Sequence, residues 1–130
     1  MSFEKKYLDD RAKLNKIQET AKAYFLGNEG LHRLNCAQSV AETFREHLPL
    51  EEKTTILLSA CGGGMAPKGY CGAFYAAKCL LDHHFPHRAQ DGMRALYSVA
   101  GSLKCREIKV LKKLPCVGCV EKAAEVVGIK

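Results

Sequence analysis

Seven cysteines in 130 residues, at positions 36, 61, 71, 79, 105, 116 and 119, restrict this chain more than any other feature. An odd number cannot all pair within one chain. The start, Met1-Ser2-Phe3-Glu4-Lys5-Lys6, runs into charged sequence rather than an apolar stretch, so no secretory signal is expected and the cytoplasm is the expected compartment. A disulfide scaffold is therefore a poor explanation, and stability must come from an ordinary apolar core. The chain can build one. Hydrophobic residues make up 47% and charged residues 26%, and a chain of 130 residues buries roughly two-thirds of its unfolded surface in one domain. Residues 1–130 are read as that single domain. No apolar run approaches the roughly 20 residues of a membrane span, so no membrane insertion is expected.

Apolar spacing predicts helices. Phe3, Tyr7, Leu8, Leu14, Ile17, Ala21, Tyr24 and Phe25 mark a helical stripe over 3–26, closed by Gly27. Asn35 is placed to cap a second helix over 36–47, which Pro49 ends. Glu51 and Glu52 open a third, over 51–61, where the helix dipole favours acidic side chains. A fourth covers 71–84, a fifth starts near 88 and runs to 100 or beyond, and a short helix over 118–127 finishes the chain. Pro86 breaks the chain between the fourth and fifth. The run Ile108-Lys109-Val110-Leu111 could pass for a short strand without a partner. The expectation is an all-α, single-domain bundle of about five to six helices.

Between the third and fourth helices lies Gly62-Gly63-Gly64-Met65-Ala66-Pro67-Lys68-Gly69. This segment reads as a loop whose backbone can enter conformations closed to other residues or approach another group closely. It lacks the Gly-Lys-Ser/Thr ending of a phosphate-binding loop. It is read instead as letting Cys71 and nearby amides approach a bound centre.

The cysteines fall at predicted helix starts: Cys36 after Asn35, Cys71 after the glycine loop, and Cys116 and Cys119 after Pro115. Free N–H groups and the positive end of the helix dipole are expected to favour thiolate there. Cys105 lies between Lys104 and Arg106, also a cationic setting. Four gathered thiolates repel one another, and a bound cation relieves the repulsion. Zinc and iron–sulfur clusters both suit four thiolates. Only one Cys-x-x-Cys pair, Cys116 with Cys119, is present. It has the spacing of a reactive dithiol, although no βαβ pattern surrounds it. Cys61 and Cys79 read as small core residues. His83, His84 and His87 read as a solvated helix end, with a zinc site as the alternative, and His32 as a loop residue. No Ser/His/Asp arrangement or carboxylate pair points to hydrolysis.

Asn35-Cys36-Ala37-Gln38, the Gly62-Gly63-Gly64 loop, Cys71-Gly72-Ala73, Gly101 followed by Cys105-Arg106-Glu107, and Cys119-Val120-Glu121-Lys122-Ala123-Ala124-Glu125 occur in that order. Together they resemble the redox-active family known by its cysteine signature, C_GCAxxG_C_C, from about residue 20 onward. A related segment of split-Soret cytochrome c is associated with an iron–sulfur cluster. Carried over by position, the resemblance implies ligands at Cys36, Cys71, Cys105 and Cys119, with Cys116 as the alternative to Cys119, and Gly63, Gly64 and Gly72 beside the cofactor. It implies a helical fold and a cluster, [2Fe–2S], that transfers one electron, in a carrier rather than a stand-alone enzyme. The alternatives are a thiol–disulfide protein and an interaction module held by structural zinc. Ala76 stands where the signature has glycine. No Cys-x-x-Cys-His occurs, so covalent haem is not expected.

The net charge of +6 is concentrated at one end: residues 88–130 hold nine basic and four acidic side chains. Lys104, Arg106, Lys109, Lys112 and Lys113 would suit an acidic redox partner. The stretch has no aromatic interleaving and no recognisable motif for nucleic acid. The long first helix could cover its own core or a neighbouring subunit, which makes a homodimer a reasonable expectation.

Overall fold

The computed structural model describes residues 3–30 and 33–128. His32 and the side chains of Phe3, Tyr7 and Leu8 lie outside the described part. Among the described residues the chain is all helix and turn: α1 (Phe3–Leu26), α2 (Cys36–Thr43), α3 (Glu52–Ser59), α4 (Gly72–His84), α5 (Pro86–Ala100), α6 (Cys105–Leu111) and α7 (Cys116–Gly128). The all-α reading holds. The segment that could have been a strand is the seven-residue α6, which the sequence reading did not have as a helix.

The centre of the bundle is α4. Ala73, Phe74, Ala76, Ala77, Leu80 and Leu81 are fully buried there, and α2, α5 and α7 pack around them. Alanines on two successive turns let neighbouring helices approach closely, while Phe74 and the leucines supply the apolar area. Burying each of those large side chains is worth about 1.5–3 kcal/mol. Ala76 is wholly enclosed, so a methyl group is accommodated where the signature has glycine. Helix α7 contributes Val120, Ala123, Ala124 and Val127 and lies along α1. Gln18 of α1 donates to the Glu125 carboxylate of α7 at 2.9 Å. Arg88 of α5 donates to the Val126 and Val127 carbonyls at 3.1 and 3.3 Å, placing a cation at the negative end of α7.

The predicted helix boundaries shift for local reasons. Asn35 caps α2 as expected, accepting from the Gln38 N–H at 2.7 Å, while the Gln38 side chain accepts from the Asn35 N–H at 3.1 Å. This reciprocal pair is a capping box. The helix ends at Thr43, short of 47, and the chain continues as turns to Pro49. Pro86 starts α5 rather than separating it, because the first helical position needs no N–H. Helix α7 begins at Cys116, two residues before the predicted start, with the Pro115 carbonyl accepting from the Cys119 N–H at 2.9 Å. The glycine segment contains two short 3-10 turns, Gly62–Gly64 and Pro67–Gly69, with left-handed backbone at Gly63, Gly64, Lys68 and Gly69.

Candidate functional site

Three features of the fold place most of the sulfurs at one end of the bundle. First, the main chain ties the start of α4 to the start of α6. The Cys71 N–H donates to the Leu103 carbonyl at 2.8 Å, and Tyr70 and Lys104 form an isolated antiparallel bridge. This brings together two cysteines 34 positions apart, 71 and 105. Ile108 anchors α6 in the core, while Ser102 accepts from the Lys104 N–H at 3.0 Å and is itself bonded to Glu107.

Second, a cavity of about 330 Å³ opens between α6 and α7. Cys71, Cys105, Cys116 and Cys119 line it, with Ile108, Leu114, Pro115, Lys109 and Lys112. Three of the four expected ligands therefore share one space, and the alternative Cys116 shares it too. Cys71 and Cys119 are buried, at 7% and 2% exposure, Cys105 is half-buried and Cys116 is exposed.

Third, Cys36 meets Cys71 from the other side, through the close-packed start of α4. A Cβ on Gly72 would lie 2.5 Å from the Cys36 sulfur and 2.4 Å from the Cys61 carbonyl oxygen, so only glycine fits. Gly64 faces Cys105: its backbone is left-handed, and a Cβ there would lie 3.6 Å from that sulfur. Gly63 presents its N–H to Cys36. The three expected glycines thus lie beside cysteines, each in a different way. Asn35 also ties the end of α3 to the start of α2, donating through Nδ2 to the Leu58 and Ser59 carbonyls, both at 3.1 Å.

The electrostatics correct one expectation. Burial, and then the neighbouring Cys71, push the Cys36 thiol above its ordinary range, against the pull of the Ala73, Ala37 and Gly63 amides. Cys71 is driven further up by a hydrogen bond with Cys119, then by burial and by charge repulsion from Cys119. The Phe74 and Ala73 amides oppose this only partly. Helix starts do offer N–H groups to these sulfurs, but desolvation and crowding outweigh them. In the metal-free protein Cys36 and Cys71 are therefore held as thiols. A metal changes that balance, because a coordinated thiol is deprotonated.

The other cysteines differ. Cys61 is fully buried and donates to the Leu57 carbonyl at 3.1 Å, a satisfied core thiol next to Cys36. Cys79 is half-buried rather than enclosed, beside Tyr75, and lies in a separate surface hollow with Lys78, Asp82 and His83. His84 contacts the Pro49 carbonyl at 2.8 Å, and its ring meets that of His83 edge-on. Among the described residues no three His, Cys, Asp or Glu side chains are arranged around a single metal position. The donor set nonetheless fits a larger sulfur-ligated group: four cysteines at or beside helix starts, amides directed at sulfur, and glycines where a Cβ would intrude.

The sequence reading missed three parts of this site. Gln38 completes the cap, and its signal, an amide three residues after Asn35, was present. The Leu103 carbonyl and the left-handed Lys112, which ends α6 at the cavity edge, left no pattern to read.

The fold and these sulfurs define a class, a small helical protein built around clustered cysteines. Comparison with known families makes it specific: residues 34–128 match the family described as "Putative redox-active protein (C_GCAxxG_C_C)", and the chain belongs to that family. The match begins at residue 34 rather than near 20, so α1 lies outside it. No curated protein matches the chain, and no solved structure does. Among the described residues no helix is long and apolar enough to cross a membrane.

Proposed function

We propose that this protein is an electron carrier in which Cys36, Cys71, Cys105 and Cys119 hold an iron–sulfur cluster of the [2Fe–2S] type. The observation that carries the reading is the gathering of sulfurs remote in sequence: Cys71, Cys105 and Cys119 on one cavity, with Cys36 against Cys71. Such a cluster, when bound, accepts and gives up one electron at a time. The chain's own residues would set its surroundings. Amides of Ala37, Gly63, Ala73 and Phe74 can donate to ligand sulfur, and hydrogen bonds to sulfur tune the reduction potential. Ile108, Leu114 and Pro115 give the cavity apolar wall. Exposed Lys104, Arg106, Lys109, Lys112 and Lys113 surround the outer side and suit an acidic redox partner. Seven free thiols suit a reducing compartment such as the cytoplasm.

One contact favours a second reading, a dithiol–disulfide protein. Cys71 and Cys119 are already hydrogen-bonded, and Cys116 stands beside them on the cavity. Anaerobic purification separates the readings. Brown protein containing iron and sulfide, bleached by reductant, supports the carrier. Metal-free protein that loses two thiols on mild oxidation supports the dithiol, and colourless protein with one zinc supports a structural ion.

A further inference from the structure

Two of the cysteine helices begin alike. Cys36 and Cys105 each take the first helical position, after the caps Asn35 and Lys104. Asn35 caps α2 with its own side chain, and Gln38, three residues on, closes the box. Lys104 has no side-chain oxygen to give, and α6 has no side-chain bond from its cap. Ser102 takes over that role. Its hydroxyl accepts from the Lys104 N–H at 3.0 Å and donates to the carboxylate of Glu107. Glu107 stands three residues after the cap, as Gln38 does in α2. In an ordinary capping box that third residue bonds directly to the N–H of the cap. Here the Ser102 hydroxyl is inserted between them. Ser102 is 5% exposed and, with Ser39, is one of two buried polar side chains among the described residues. Helix α6 has little else to hold it: it buries Ile108 alone, Val110 is 77% exposed, and seven residues are too few for a helix to stand by itself in water. Ser102 and Lys104 also flank Leu103, whose carbonyl accepts from the Cys71 N–H at 2.8 Å. One short turn therefore carries the link to Cys71 and, two residues later, Cys105.

We propose that Ser102 and Glu107 are positioning residues of the sulfur site: their bond closes the turn 102–105, which sets Cys105 against Cys71 before any group is bound. With the bond made, the Leu103 carbonyl stays turned toward Cys71, and Cys105 stays on the cavity that both cysteines line. Partners behind a ligand that fix its direction are a general device of metal centres. Ser102 and Glu107 do for Cys105 what Asn35 and Gln38 do for Cys36, with the bond carried through one more side chain. Calling Cys105 a ligand rests on the proposed function. Its placement does not, since it belongs to the metal-free chain.

The test uses the full chain, reduced and metal-free, as parent and as Ser102→Ala, Glu107→Ala and Glu107→Gln. Hydrogen exchange is read at the Cys71 amide by NMR, and iodoacetamide labelling of Cys105 is timed by peptide mapping. Ser102→Ala should raise both rates about tenfold, the size of change expected from losing a hydrogen bond to a charged group. Exchange at Leu80 and Val120 in the core should stay at the parent rate. Glu107 is exposed, so Glu107→Ala tests the bond without disturbing the core. It should raise both rates in the same direction but by less, since the Lys104 N–H keeps its acceptor. Glu107→Gln removes the same charge but keeps an acceptor oxygen, and should fall between Glu107→Ala and the parent. Unchanged rates at Cys71 and Cys105 in both alanine variants would overturn the proposal. So would a rise of equal size at Leu80 and Val120, which would mark a general loss of stability, and so would equal rates in Glu107→Gln and Glu107→Ala, which would leave only an effect of charge. Failure of the cluster reading would show separately, as absence of iron and sulfide in the anaerobically purified parent.

Discussion

The two ends of α4 each carry a cysteine, and they make opposite use of it. At the start, Cys71 is buried against Cys119 and Cys36, beside a glycine that admits no Cβ and beneath amides directed at sulfur. Toward the end, Cys79 is half-buried next to Tyr75, and its surroundings are the surface residues Lys78, Asp82 and His83. The helix is common to both. The difference is which sulfurs arrive from elsewhere: Cys36 and Cys119 come to Cys71, and Cys105 shares its cavity, whereas Cys61 is the sulfur that acts on Cys79. A cysteine becomes part of a site through its neighbours and not through its helix.

Substitutions along α4 can break or sharpen this contrast. Phe74→Ala, in the core beneath the first end, should cost the most, about 3–5 kcal/mol in chemical denaturation. Gly72→Ala should cost about 1–3 kcal/mol through overpacking against Cys36 and the Cys61 carbonyl. It should also lower the bound iron and sulfide per chain; full occupancy in a folded Gly72→Ala protein would show that the cradle is not needed. Next in size is a pH effect. The Cys36 and Cys71 thiols titrate above their ordinary value when folded, so the unfolded chain gives up their protons first as pH rises. Their contribution to the stability of metal-free protein is therefore complete below about pH 8.5, the ordinary thiol value, and declines above it. The Cys36→Ser variant should flatten that decline in denaturation curves taken from pH 7 to 10. Metal loading should reverse the trend, because binding releases protons. At the far end, Cys79→Ala should cost less than about 1 kcal/mol and leave the visible spectrum unchanged. The smallest effect belongs to Lys78→Ala, which removes an exposed 2.6 Å ion pair with Asp82 one turn away and should cost about 0.3–0.5 kcal/mol.

Much of this was legible in the sequence where one signal was local and strong. Asn35, Gly27 and Pro115 mark helix ends by chemistry each residue carries with it, and the apolar stripes of the long helices follow from periodicity. Four cysteines placed after predicted helix starts, at 36, 71, 116 and 119, do stand at or beside the starts of α2, α4 and α7. The short helix α6 was not legible. Of its seven residues only Ile108 is buried, so it carries no stripe to recognise, and its place is fixed by the Leu103 carbonyl and the bridge to Tyr70. The protonation of Cys36 and Cys71 was misjudged for a related reason. A helix start can be read from neighbouring residues, whereas the burial of Cys71 and its contact with Cys119 exist only once 48 positions of chain have folded back.

The fastening at 70–71 and 103–104 involves main-chain groups alone. Its strength is therefore indifferent to most exchanges of side chain at Tyr70, Leu103 or Lys104. Evolution, or an engineer, could recolour the outer surface of α6 from basic to acidic, and so redirect the molecule to other company, while the spacing between two of its sulfurs stayed as it is.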